Sequence, residues 1–333
     1  VKRWFWLAVP WTIFLVMAIG WVIYWHALAN GARDRLEAWV ASEQARGAQA
    51  SIGSIEAMGF PALLRLELRD IAYAPAEGGW RLTTAAGVLH VQMINPEHVI
   101  FKAAAPIAFA RDDGAVTNIS ADTLIASFRT ANGALAQAGV EADNLTLDDP
   151  REAGVLSARK LVLNVRPDAR AAGDAQVMLD AQGVSLAQPV RSFEGLGQDV
   201  AQLMFAFVVE ESAAVLQSAP NDPLGPWRAA GGRVRVEGLV LKWGALDAAG
   251  VGHIALDDQR RLTGELNLPI REPAAFFRAL AAAPEANDDT RMALTLLSAA
   301  FAQNAQGLTL DVTGDDGVLR LEGLRVRTLP PVY

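Results

Sequence analysis

The residues that could carry out chemistry are few and poorly spaced for it. Histidines stand at His26, His90, His98 and His253, and none has a second histidine at metal-ligand spacing. His98 has an acidic neighbour in Asn95-Pro96-Glu97-His98, yet it leads into the apolar Val99-Ile100-Phe101 and reads as structural. Asp-Asp pairs beginning at Asp112, Asp148, Asp257, Asp288 and Asp315 would offer carboxylates for acid–base work or for calcium. Adjacent residues on a strand point to opposite faces, so such neighbours do not converge, and aspartate beside Gly or Pro is an ordinary turn residue. The sequence contains no G-x-S-x-G elbow, no P-loop and no dinucleotide-binding glycine fingerprint. It also has no cysteine, which excludes disulfides and thiolate metal sites. The expectation is a non-enzymatic protein without catalytic, cofactor-binding or metal-binding residues.

The elements that would position any site are strands. Six copies of one pattern, apolar at i, i+2, i+5 and i+7, begin at Leu66, Ile119, Val140, Leu156, Val234 and Leu319. A polar or glycine-containing pair fills each centre: Arg69-Asp70, Asp122-Thr123, Asp143-Asn144, Arg159-Lys160, Glu237-Gly238 and Glu322-Gly323. On a helix the apolar positions would scatter, whereas on strands of period two they form two halves one residue out of phase. A one-residue slip moves side chains to the other face unless an extra residue is absorbed, so each pair reads as a β-bulge. Gly238 and Gly323 are the candidate bulge positions, expected in special backbone conformations.

The N-terminus reads as a membrane anchor. Trp4 to Trp25 contains no charged residue, and about 20 apolar helical residues cross a bilayer. Lys2 and Arg3 precede it and the mixed Arg33, Asp34, Arg35 and Glu37 follow, so the N-terminus should face the cytoplasm and the bulk of the chain the periplasm. Trp4, Trp6, Trp21, Tyr24 and Trp25 lie near both ends, as in an interfacial belt. Ala27-Leu28-Ala29 resembles a small-residue cleavage site, but the apolar stretch is longer than the h-region of a cleaved signal, which favours an anchor. The initial Val is read as an alternative bacterial start, which leaves the sequons at Asn118 and Asn144 without weight.

The expected organisation is an anchor and juxtamembrane helix over 1–47, a first β-repeat region over 51–190, a helical connection over 193–218, and a second β-repeat region over 227–333 with a helical insertion at 273–305. In the connection, Leu196, Val200, Leu203, Met204, Phe207, Val208 and Val215 recur at helical spacing. In the insertion, Phe276, Phe277 and Leu280 form one apolar face, and Met292, Leu296, Leu297, Ala300 and Phe301 another. The fold class is mainly β with minor α: a transmembrane helix, then an extended, curved, mostly antiparallel β-repeat sheet covered by a few helices. A net charge of -8 argues against nucleic acid as a partner.

Gly59-Phe60-Pro61 with Arg65-Leu66, Asn95-Pro96-Glu97-His98-Val99-Ile100, Trp243-Gly244 before Gly252-His253-Ile254-Ala255-Leu256, and Leu329-Pro330-Pro331-Val332-Tyr333 together resemble the domain of unknown function 2125 family of proteobacterial envelope proteins. The Ala62-Leu63-Leu64 insertion before Arg65 departs from that pattern, and the family brings no catalytic residues with it. More distantly, the anchor followed by repeated strands is similar to AsmA-like envelope proteins, which implies a curved sheet handling phospholipid. The expected function is a protein of the bacterial inner membrane, single-pass, that handles lipid or another hydrophobic ligand or supports envelope assembly. The alternative is a scaffold binding envelope proteins through its sheet edges, without lipid cargo. Leu145, Leu147, Leu161, Leu163, Leu239 and Leu241 are the candidate hydrophobic groove, with a phospholipid or another acyl lipid as the ligand.

Overall fold

A computed structural model describes residues 2–131, 134–149, 155–188, 191–215, 222–282, 288–302, 308–321 and 323–333. They form a mainly antiparallel β protein with a few helices, in two compact units, Val1–Leu135 and Ala136–Tyr333. The N-terminal unit opens with helix α1 (Lys2–Ala45) and continues through β1 (Gln49–Met58), β2 (Leu64–Ala74), β3 (Trp80–Val91), β4 (His98–Ala103), β5 (Ile107–Arg111), β6 (Val116–Ser120) and β7 (Thr123–Ala131). β1, β2 and β3 pair in sequence; β3 then pairs with β4 near its end and with β5 near its start, so the sheet branches into β4–β7 and β5–β6. Its core gathers Leu64, Leu66 and Leu68 of β2 with Val91, Met93 and, from α1, Trp25 and Ala29.

The C-terminal unit is a meander in which each strand pairs antiparallel with the next. Its strands are β8 (Ala134–Asp148), β9 (Val155–Pro167), β10 (Ala175–Leu186), β11 (Asp199–Val209), β12 (Val234–Trp243), β13 (Leu246–Leu256), β14 (Leu262–Ile270), β15 (Leu308–Asp315), β16 (Val318–Leu321) and β17 (Leu324–Thr328). Short helices sit in the connections: a 3₁₀ turn at Arg191–Leu196, α2 (Ser212–Val215) and α3 (Gly225–Ala229). Between β14 and β15 lie α4 (Pro273–Ala281) and α5 (Asp288–Ala302). Pro273 opens α4 in the first turn, where its missing N–H costs nothing.

The parity slips in the sequence are absorbed in more than one way. In β2 the second residue of the pair, Asp70, takes φ 52, and in β8 the corresponding Asn144 takes φ 50. Both residue types tolerate the left-handed region because their short polar side chains bond locally. The pairing of β1 with β2 and of β8 with β9 runs through these positions without a register shift, so the partner strand slips at the same level. Ile52 and Ile71 consequently pack on the same core as Leu66 and Leu68. At Glu237-Gly238 the register shifts against both neighbours, between Val236 and Leu239 toward β13 and at Ala206/Phe207 toward β11, which is a bulge proper. Gly238 nevertheless has an ordinary φ, and a Cβ added there would meet nothing closer than 3.9 Å, so the expected special conformation is corrected at this site.

Gly323 is corrected in the other sense. Leu321 pairs with Leu324, which places Gly323, at φ 76, in the reversal between β16 and β17 and not in a bulged strand; its companion Glu322 lies outside the described residues. Asp122 likewise falls between β6 and β7, so that copy of the pattern is broken across two strands.

The helical connection expected over 193–218 is the largest correction. Its centre is β11, Asp199–Val209, paired on both sides. Apolar residues here satisfy both periods: Leu203, Phe205, Phe207 and Val209 alternate, while Val200, Leu203, Met204 and Phe207 also fit a helix. A short run apolar on both faces is ambiguous by pattern, and the ladders offered by β10 and β12 decide it. Val215 is in α2; residues 216–218 lie outside the described residues. In the insertion, Phe276 and Phe277 are buried and Phe277 stacks on Phe301, but Met292 and Leu296 of α5 are each 66% exposed, and among the described side chains of that helix the buried one is Ser298, whose hydroxyl donates to the Ala274 carbonyl.

One end of the C-terminal unit is held by a lattice of ions. Asp168 accepts from the Arg170 guanidinium at 2.9 Å and from its backbone N–H; Arg170 also reaches Glu237, and Arg235 joins Glu237 at 2.7 Å and Glu210 at 3.1 Å. The Arg170 side chain holds the Asp168 and Glu237 carboxyls below their usual range, and the Arg233 side chain does so for Glu210. A carboxylate with a depressed folded-state pKa adds stability that is present above its unfolded pKa and lost as pH falls through the folded one. The Tm of the C-terminal unit should therefore drop once the pH passes below about 4, where free carboxylates begin to protonate. Arg170→Gln should make that acid dependence shallower. Thermal melts between neutral and acid pH check this, and an unchanged acid limb in the variant would refute it.

Candidate functional site

Helix α1 has two environments along its length. From Trp11 to Ile19 its large apolar side chains are exposed, Trp11 73% and Met17 69%, and the helix that carries them, Val9–Ala45, is long and apolar enough to cross a membrane. From Trp21 onward it is pinned to the sheet. The indole of Trp21 donates to the Pro61 carbonyl and that of Trp25 to the Leu63 carbonyl, both at 2.8 Å, and the Tyr24 hydroxyl donates to the Met93 carbonyl at 2.6 Å. Further along, Arg33 donates to the Ile55 carbonyl and Gln44 to the Ala50 carbonyl. Near the helix end, Trp39 stacks on Tyr73 at 6.1 Å and the Tyr73 hydroxyl donates to Glu43. Burial, followed by the Glu43 contact, pushes the Tyr73 phenol above its ordinary pKa.

A cavity of about 370 Å³ opens between this docked half of α1 and the sheet. Its helix wall is Ala27, Leu28, Gly31, Ala32, Leu36 and Trp39, with Arg35 as its charged member; its sheet wall is Leu89 and Val91 of β3, with Pro96 and Val99. The helix residues recur at spacings of three and four, so they form one face. The cavity exists because that face is small where it meets the sheet, and a Cβ added at Gly31 would meet no atom within 4 Å. From Ala27 to Trp39 the wall runs about 18 Å at 1.5 Å per residue. The volume lies within the range of small-ligand pockets, roughly 300–1,000 Å³. The geometry suits a narrow apolar chain lying along the helix with an anionic group at Arg35.

Nothing in the apolar patterning of the sequence marks this cavity, although small residues at Ala27, Gly31 and Ala32 stand in its helix wall. Ala27-Leu28-Ala29 reads in the sequence as a cleavage-like run of small residues. In the structure Ala29 is 3% exposed within the core and Ala27 and Gly31 line the cavity, so their size follows from helix-to-sheet packing. A chain cut before Asn30 would lose both Trp25 and Ala29 from that core.

The six leucines of the candidate groove lie in the C-terminal unit. Opposed residues in an antiparallel pair share a face, and the registers place Val140, Leu163, Leu179, Phe205 and Leu239 in one row. Ala142, Leu161, Ala181, Leu203, Leu241, Ala248 and Ile270 form the next. Beyond the slip at Asn144, Leu145 aligns with Ala158, Val184, Val200 and Trp243, and Leu147 follows two residues on. Leu145 is buried and the other five are half-buried. The alternate rows carry Glu141, Lys160, Asp180, Gln182 and Lys242, with Lys160 3.3 Å from Glu141, so the other face is wet. The Trp243 end of the apolar face is capped: its indole donates to the Gly197 carbonyl at 3.0 Å and its ring meets Phe193 of the 3₁₀ turn. That turn meets α4 so closely that a Cβ on Gly195 would collide with the Ala279 carbonyl.

The Asp-Asp pairs take turn and cap positions where their bonds are seen. Asp112 accepts from Gly79 N–H, Asp113 from Ala115 N–H, and Asp257 from Gln259 and Arg261 N–H; Asp288 and Asp289 open α5. Asp316, at φ 47, pairs with Arg261 at 2.9 Å. His253 lies 3.8 Å from Glu265 across a strand pair. No curated protein matches the chain. The family described as an uncharacterized protein conserved in bacteria (DUF2125) matches residues 25–330, from the docking tryptophan of α1 to the prolines after the last strand, and the chain belongs to that family.

Proposed function

We propose that the protein is anchored by α1 in the bacterial inner membrane, with Lys2 and Arg3 cytoplasmic and its β units in the periplasm, and that it holds an acyl chain of a membrane lipid in the cavity between α1 and β3. The observation that carries this reading is the cavity itself: an apolar slot whose helix wall is the direct continuation of the membrane-crossing segment. A lipid moving from bilayer to slot stays along one apolar surface, and Arg35 supplies the single charge suited to a phosphate. Membrane lipid copurifies with any anchored protein, so the test must report position.

Full-length protein in vesicles containing a phosphatidylglycerol with a photoreactive acyl chain should form adducts on Leu89, Val91 or Val99, on the sheet side, as well as along Trp11–Val22. Gly31→Phe, which fills the slot without a clash at Cβ, should remove the sheet-side adducts and leave those on the anchor. Adducts confined to the anchor in the wild type would reject lipid carriage and favour the scaffold that recruits envelope proteins. Absence of adducts on both would reject the anchor.

A further inference from the structure

We infer that the two loops at the α1-exit end of the N-terminal sheet, Gly59–Leu63 and Gln92–Glu97, are a second membrane contact: they lie in the bilayer interface around the point where α1 emerges. The inference rests on the anchoring part of the reading above and is independent of the cavity. The loops sit side by side because Leu64 pairs with Val91 at the start of β2 and the end of β3. They present large apolar side chains to solvent: Ile94 is 99% exposed, Leu63 59% and Phe60 50%. Isolated exposed apolar residues need no explanation, but a cluster at one end of a unit marks an interaction surface.

What identifies the partner is how these loops are tied. Their carbonyls at Pro61, Leu63 and Met93 are the acceptors for Trp21, Trp25 and Tyr24, the belt that ends the membrane-crossing segment. The Phe60 ring also meets Trp25 edge-on at 5.5 Å and stacks over His26. Trp and Tyr settle at headgroup depth, so residues bonded to them are held at the same depth. About 20 helical residues span the hydrocarbon core, and 20 residues ending at Trp21 or at Trp25 begin at Lys2 or at Trp6. A bilayer fitted to the helix thus ends at the loop tips. The far end of β3, with the turn at Glu77, lies about 36 Å away at 3.3 Å per residue over the strand's length.

The chain has no cysteine, so single cysteines report cleanly. Leu63→Cys, Ile94→Cys, Val16→Cys and Glu77→Cys, each labelled with the environment-sensitive fluorophore NBD, are measured in full-length protein in vesicles of phosphatidylcholine and phosphatidylglycerol. Labels at 63 and 94 should emit to the blue of the label at 77 and be quenched at least twofold by lipids spin-labelled high on the acyl chain. The label at 16 should be quenched by spin labels near the chain end. If the label at 16 is quenched while 63 and 94 behave like 77, the loop contact is overturned and the anchor stands. If the label at 16 is not quenched, both are overturned.

Discussion

Trp25→Ala should release α1 from the sheet and erase the cavity. The indole is 5% exposed, packs with Leu64, Leu66 and Val91, meets Phe60 edge-on and donates to the Leu63 carbonyl. Truncating a buried Trp costs about 3–5 kcal/mol, and the Leu63 carbonyl loses its donor as well. That loss falls on one docking surface, so the expected result is local: the amides of β1 and β2 exchange faster while the C-terminal unit keeps its Tm. Trp25→Phe separates the contributions, because it keeps an apolar ring and drops the hydrogen bond, for about 0.5–1.5 kcal/mol. Hydrogen exchange followed by mass spectrometry reads both. Wild-type protection of β1 and β2 in Trp25→Ala would show that α1 is held by its distal contacts, Trp39 on Tyr73 and Tyr73 to Glu43.

This variant also bears on how α1 relates to the sheet it packs on. A helix joined to its domain only through a connecting loop would move independently of it. Here the residues that follow the exposed apolar stretch of α1 are part of the core, since Trp25 and Ala29 join a cluster otherwise built from β2, β3 and the Met93 loop. Under the proposed anchoring, the position of the sheet relative to the bilayer is set by these side-chain bonds, and the cavity behind α1 inherits that position.

Much of this architecture was legible in the residues, for reasons that are local. The repeated i, i+2, i+5, i+7 pattern located strands because period two is a property of the strand itself, and Asp70 and Asn144 occupy left-handed backbone at the very pair the pattern marked. Pro273 announced α4 for the same kind of reason. What could not be read depends on partners distant in sequence. β11 looked like a helix because its residues satisfy both periods, and β10 and β12 decide the matter. Gly323 looked like Gly238 because a hairpin reversal and a bulge both ask for a small residue between apolar halves, and only the pairing of Leu321 with Leu324 tells them apart. Met292 and Leu296 fitted a stripe, but the face of α5 that packs is the one bearing Ser298. The cavity escaped entirely, because a run of small residues says only that something comes close, and the sheet that comes close is built from β3, some sixty residues later in the chain by sequence position.

Leu161→Asp should unfold the C-terminal unit or bring it close to unfolding. Leu161 stands between Ala142 and Ala181, which are 0% and 5% exposed, in a row that continues through Leu203 and Leu241. No cation shares that row, and the nearest lysine in the strand, Lys160, points to the wet face with Glu141. An uncompensated charge in such a place costs on the order of 3–5 kcal/mol, against a typical domain stability of about 5–15 kcal/mol. Met178→Asp is the matched control: Met178 lies one residue from Leu179, on the opposite face, and is 40% exposed. A surface change of that kind should stay within about 0.5 kcal/mol. Denaturant melts of the two variants decide what the six leucines do. If Leu161→Asp unfolds and Met178→Asp does not, the face of Leu145, Leu147, Leu161, Leu163, Leu239 and Leu241 is packing surface, and lipid, if carried, is carried at α1. If Leu161→Asp keeps the wild-type midpoint, water already reaches the face, and the second unit offers another apolar surface to an acyl chain.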